Sequence, residues 1–71
     1  SNALINSTVA ENIKLGKLNA SKEELEIAIN KAKGEFIRDL NFQVGINGCN
    51  LSGGQAQRIC IARAFLKSGI E

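Results

Sequence analysis

The sequence predicts a small all-α fold of three to four helices, with the most apolar helix last. Three observations carry this. Three strings, Thr8-Val9-Ala10-Glu11, Ser21-Lys22-Glu23-Glu24 and Ser52-Gly53-Gly54-Gln55, have the form of helix N-terminal capping boxes. Apolar residues recur at helical spacing behind the second of them. The one candidate strand, Phe42–Val44, is three residues long and decides little.

The first helix is expected over Thr8–Leu15, with Thr8 as N-cap and Gly16 as its stop. The second begins at Ser21, carries Glu23, Glu24 and Glu26 in its first turns, and has Lys31 and Lys33 in its last. That distribution matches the helix dipole. Leu25, Ala28, Ile29 and Ala32 make its apolar stripe, and Gly34 ends or kinks it. Phe36, Ile37 and Leu40 suggest a further helical turn in Glu35–Leu40, and residues 41–50 read as a loop rich in Gly and Asn. The last helix runs from Gly53 to Lys67, with Gly69 just beyond it. Ile59, Cys60, Ile61, Ala62, Ala64, Phe65 and Leu66 nearly encircle this helix, interrupted by Arg63. Such a helix belongs inside a larger structure, so the chain reads as a piece separated from its neighbours and prone to self-association.

Composition bounds the rest. A chain of 71 residues is one domain at most and buries only about 60% of its unfolded surface. Hydrophobic residues make up 44%, enough for a folded chain. With three Phe and no Trp or Tyr, the core must be aliphatic. Ser1-Asn2-Ala3 resembles a tag-cleavage remnant and is set apart from residues 4–71. The net charge of +2 is too small to imply a polyanion partner, and it arises from Arg58, Arg63 and Lys67 against Glu71. Cys49 and Cys60, with no histidine in the chain, form no metal pattern and are expected as free thiols. No apolar run approaches the roughly 20 residues that span a bilayer.

Ser52-Gly53-Gly54-Gln55 raises a sharper question, because glycine inside a helix costs roughly 0.5–1 kcal/mol against alanine. Read plainly, Ser52 and Gln55 cap the helix and the glycines are tolerated. Read for chemistry, a helix N-terminus stripped of two Cβ atoms offers unpaired N–H groups to a close anion, with a hydroxyl and an amide at its rim. No general base, nucleophile or metal ligand stands beside it, so it can bind and orient a phosphate but cannot hydrolyse one. The chain has no GxxxxGK[ST] loop, so another segment would have to hold most of a nucleotide.

The run Leu51-Ser52-Gly53-Gly54-Gln55-Ala56-Gln57-Arg58, with Ile61-Ala62-Arg63-Ala64 after it, strongly resembles the LSGGQxQR signature motif of ABC-type ATPases. Thr8-Val9-Ala10-Glu11-Asn12-Ile13 resembles the TVxENI segment of ABC exporters. Val44-Gly45-Ile46-Asn47-Gly48 resembles their VGExG loop, with Ile46 where the pattern has Glu. The resemblance covers nearly all of residues 4–71. It implies the α-helical subdomain of an exporter nucleotide-binding domain, from just after the Q-loop glutamine to just before the Walker B strand.

By the same resemblance, Ser52, Gly53, Gly54 and Gln55 would contact the ATP γ-phosphate across a head-to-tail dimer of two such domains. Leu51, Gln57 and Arg58 would support the signature helix. Val44, Gly45, Asn47 and Gly48 would form a coupling loop toward transmembrane domains, although the acid linked to that coupling is replaced by Ile46. ATP and Mg²⁺ are implied for the parent, an ATP hydrolase at the cytoplasmic face of the membrane. The isolated chain is expected to be soluble, inactive and without bound cofactor or metal. A competing reading, a stand-alone helical or nucleic-acid-binding module using Arg58, Arg63 and Lys67, rests on three cations with no aromatic partners, a thin footprint.

Overall fold

A computed structural model describes residues 3–69; Ser1 and Asn2 of the N-terminal tag expectation lie outside the described residues. The elements are α1 (Val9–Ile13), α2 (Lys22–Lys31) and α3 (Gly53–Ser68). A 3₁₀ turn, Lys14–Gly16, continues α1, and another, Ile46–Gly48, lies in the loop before α3. Among the described residues the fold is all-α with the longest helix last.

Each helix starts where its cap dictates. Thr8 Oγ1 accepts from the Glu11 N–H at 3.0 Å, opening α1. Ser21 and Glu24 form a full reciprocal box at α2, and Ser52 and Gln55 form another at α3. The stop of α2 falls one residue earlier than glycine preference suggests. Lys33 takes the left-handed conformation, φ 57°, and the Gly34 N–H donates back to Ile29 O at 2.9 Å, a Schellman closure with lysine at the usual glycine position. Gly34 is buried there, and a Cβ on it would crowd Ile37 and Ile29 at 3.1 and 3.2 Å. At the far end of α3, Gly69 is the left-handed cap, with φ 75°.

One local expectation is revised. Glu35–Leu40 forms turns, not a helix, and the chain at and just beyond its end pairs with α1 instead. Leu40 O accepts from the Ala10 N–H at 2.9 Å and Phe42 O from the Val9 N–H at 3.0 Å. A segment of six residues gains too little to nucleate a helix of its own. Phe42–Val44 forms no strand; the only pairing there is one antiparallel bridge between Thr8 and Gln43.

The core lies where α3 meets α1, α2 and the Lys14–Gly16 turn. Ile13, Val44, Ile59 and Ala62 are fully buried, with Leu25, Ala28 and Leu66 around them. Full burial of an aliphatic side chain contributes about 1.5–3 kcal/mol. Helix α3 buries Ile59, Ala62 and Leu66. Its remaining apolar side is not covered: Ile61, Ala64, Phe65 and Ser68 line an open, shallow recess. Cys49 and Cys60 are free thiols. No helix among the described residues is long and apolar enough to cross a membrane.

Candidate functional site

The three helix N-termini of this chain use their first N–H groups differently. At α1 the chain consumes them: Val9 and Ala10 donate to loop carbonyls and Glu11 to Thr8. At α2 the capping box is joined by Glu23 and Glu24 in the first turn, so the positive end of the dipole finds its negative charge within the chain. At α3 the box is equally complete, with the Gln55 N–H donating to Ser52 Oγ at 3.1 Å and the Ser52 N–H to Gln55 Oε1 at 3.0 Å. Its first turn, however, contains no acid. The N–H groups of Gly53 and Gly54, like those of Lys22 and Glu23 at α2, meet no acceptor among the described residues; the two termini differ in the acids beside them.

The capping and anion-site readings of Ser52 and Gln55 are therefore compatible. Accepting from Gln55 leaves the Ser52 hydroxyl proton available, and accepting at Oε1 leaves the Gln55 amide nitrogen available. Ser52, Gly53 and Gly54 are exposed and Gln55 is half-buried. A Cβ placed on Gly53 or Gly54 would meet nothing within 4 Å, and neither residue has a positive φ. Neither packing nor backbone conformation inside this chain calls for glycine at these two positions. What remains is an open cradle of donors suited to a phosphate or carboxylate and not to a cation.

The supporting residues are placed by the fold. Leu51 packs against the core. Gln57 is exposed. Arg58 Nη1 approaches the Ala32 carbonyl at 3.4 Å, where a cation complements the C-terminal end of α2. In the preceding loop Val44 is buried, while Gly45, Asn47 and Gly48 take positive φ values of 83°, 54° and 74°. The Asn50 side chain donates to Gln43 O at 2.9 Å and its N–H to Val44 O at 2.9 Å, closing the loop. Ile46 stands at its tip, 66% exposed. Among the described residues, no three His, Cys, Asp or Glu side chains come together as a metal site would require.

Two residues matter more than sequence reasoning allowed. Asn12, within α1, is fully buried and bonds both backbone groups of Ile5. Arg63 reaches from α3 to the carbonyls of Asn12 and Ala3. The signal for Arg63 was present as the single charge interrupting an apolar run, and that for Asn12 as the N of the TVxENI pattern; neither told what the side chain bonds.

The fold defines a helical subdomain closed by one long helix whose N-terminus is open. The family model for ABC transporters matches residues 1–69. The chain is 50% identical to the ABC multidrug transporter mdr2 of Aspergillus fumigatus, over 90% of this chain and 9% of that protein. It is 48% identical to the mitochondrial ATP-dependent permease MDL1 of Schizosaccharomyces pombe, over 92% of this chain and 10% of that protein. The solved structure of a bacterial Atm1-family ABC exporter with ATP bound superposes with a TM-score of 0.85 at 38% identity, covering 92% of this chain and 12% of that one. The chain belongs to the ABC transporter family, as part of an ATP-binding domain. It spans about a tenth of the length of the curated relatives it matches.

Proposed function

We propose that this chain supplies an ABC exporter with the helix N-terminus that closes on the terminal phosphate of ATP held by a second nucleotide-binding domain. The observation that carries the reading is the contrast between α2 and α3: two equally complete capping boxes, one with its own acids and the other with two bare glycines. The missing negative charge comes from outside the chain. Ser52, Gly53, Gly54 and Gln55 are the contact, and Leu51, Gln57 and Arg58 hold the helix that presents it. Because the donors are backbone amides, a hydroxyl and an amide, the site distinguishes a third phosphate by its charge and position. ATP and Mg²⁺ are held by segments outside this chain, which also supply the chemistry of hydrolysis in the parent.

The loop of Val44, Gly45, Asn47 and Gly48 faces the transmembrane domains at the cytoplasmic side of the membrane, with Ile46 giving an apolar tip in place of an acid. The nucleic-acid reading is less favoured: Arg63 donates to carbonyls of the chain itself, which leaves the exposed Arg58 and Lys67 as a thinner footprint still. Replacing Ser52 with Arg in the complete ATP-binding protein tests the assignment. ATP affinity should persist, while dimer closure is lost and turnover falls at least about a hundredfold, as for removal of a preorganised donor. Unaltered turnover would defeat it.

A further inference from the structure

We propose that Arg63 is the positioning residue that sets the direction of α3, and with it the Ser52–Gln55 terminus, relative to the chain entering at residues 3–5. Its Nε donates to Asn12 O at 3.0 Å and its Nη2 to Ala3 O at 3.1 Å. One guanidinium thus joins α3 to two points that precede it by 51 and 60 residues. Asn12 completes the clasp from the other side. Its carboxamide accepts from the Ile5 N–H at 2.8 Å and donates to Ile5 O at 3.1 Å and Thr8 O at 2.9 Å.

The main chain of Arg63 is held as firmly as its side chain. The Lys14–Gly16 turn crosses α3 there so closely that a Cβ on Gly16 would lie 2.3 Å from Arg63 O. Asn12 O and Ala3 O are both backbone carbonyls, so the clasp reads the path of the chain and not the identity of its side chains. Any residue at position 3, where Ala3 resembles a tag remnant, would offer the same oxygen. The planar fork matters: two separated acceptors suit a guanidinium and not the single point of an ammonium.

The lever arm gives this clasp its consequence. Arg63 lies three turns from the α3 N-terminus, about 15 Å at 1.5 Å per residue, so a tilt of about 4° moves that terminus by about 1 Å. A misplacement of that size is enough to cost up to about a hundredfold in a reaction that depends on orientation. The functional half of this inference rests on the phosphate reading of Ser52–Gln55; the clasp itself does not.

The test has two arms. In the first, amide hydrogen exchange is followed in the 71-residue chain carrying Arg63→Met or Arg63→Lys. The Ile5 N–H is held by Asn12 Oδ1, and losing the Arg63 bonds to Asn12 O and Ala3 O loosens the segment that carries it. Its exchange should therefore quicken about tenfold or more, the scale of bonds from a charged donor, while α2 amides stay within about twofold. Unchanged Ile5 exchange, or equal loosening of α2, overturns the proposal, the latter by showing a merely structural role. Arg63→Lys keeps charge and stem, so the arm stands if Arg63→Met fails to fold.

In the second arm, the complete ATP-binding protein carries Arg63→Lys alongside Ser52→Arg. Turnover should fall about tenfold or more with KM for ATP unchanged, since Arg63 orients the terminus without holding nucleotide. Loss of turnover in Ser52→Arg with normal turnover in Arg63→Lys overturns the clasp alone. Normal turnover in Ser52→Arg overturns the phosphate reading, and the positioning role falls with it.

Discussion

At Gly16 a Cβ atom would lie 2.3 Å from a backbone oxygen, whereas at Gly53 and Gly54 it would meet nothing within 4 Å. The same residue type therefore answers to two different demands. Gly16→Ala must push the Lys14–Gly16 turn off α3, and urea denaturation should show a loss of about 1–3 kcal/mol or more, the range for overpacking. Gly54→Ala removes backbone freedom from the unfolded chain without a clash, and should stabilise the isolated chain by about 0.4–1 kcal/mol. In the complete ATP-binding protein the same Gly54→Ala change should lower turnover, because on the proposed reading the new methyl group would stand where a phosphate approaches. A residue that improves stability and impairs activity when replaced is serving something outside its own chain. Loss of stability in the isolated Gly54→Ala chain would contradict this.

Helix caps show how far local sequence reaches. All three cap residues are legible because each satisfies its own helix's N–H groups within three residues. Glu24 does more than cap: its carboxylate pairs with the Lys17 ammonium and also accepts from the Ser21 N–H. The Lys17 hydrogen bond, followed by the Ser21 backbone bond, holds its pKa below the ordinary value. A depressed carboxyl pKa stabilises the fold fully above the unfolded value and ceases to do so as the pH falls through the folded one. Acid titration followed by helical circular dichroism should therefore show a component lost below the ordinary carboxylate range. Glu24→Gln keeps an oxygen for Ser21 but has no charge to lose, so the acid limb should flatten. An unchanged limb would assign the acid sensitivity elsewhere. Glu35–Leu40 marks the limit of this kind of reading: its spacing suits a helix, but six residues are too few to nucleate one, and the chain at its end bonds α1 through Leu40 O.

For the molecule as a whole, α3 is the organising element and also the least self-sufficient one. It buries Ile59, Ala62 and Leu66 yet leaves Ile61, Ala64 and Phe65 around an open recess. The donor cradle at its head is likewise open. Isothermal titration of ATP into the isolated chain should show no measurable heat if, as proposed, the Ser52–Gln55 terminus is one rim of a site that a second domain completes. Clear binding would mean that the cradle is only part of what this chain contributes. The sequence by itself determined the all-α class, the caps that begin each helix and the donor string Ser52–Gln55, because these depend on residues within about one helical turn of each other. Only the tertiary structure decided that Gly53 and Gly54 have no internal reason to be glycine and that Arg63 clasps Asn12 and Ala3. Those depend on backbone atoms brought together across as many as 60 residues, where contact is set by packing and not by local spacing.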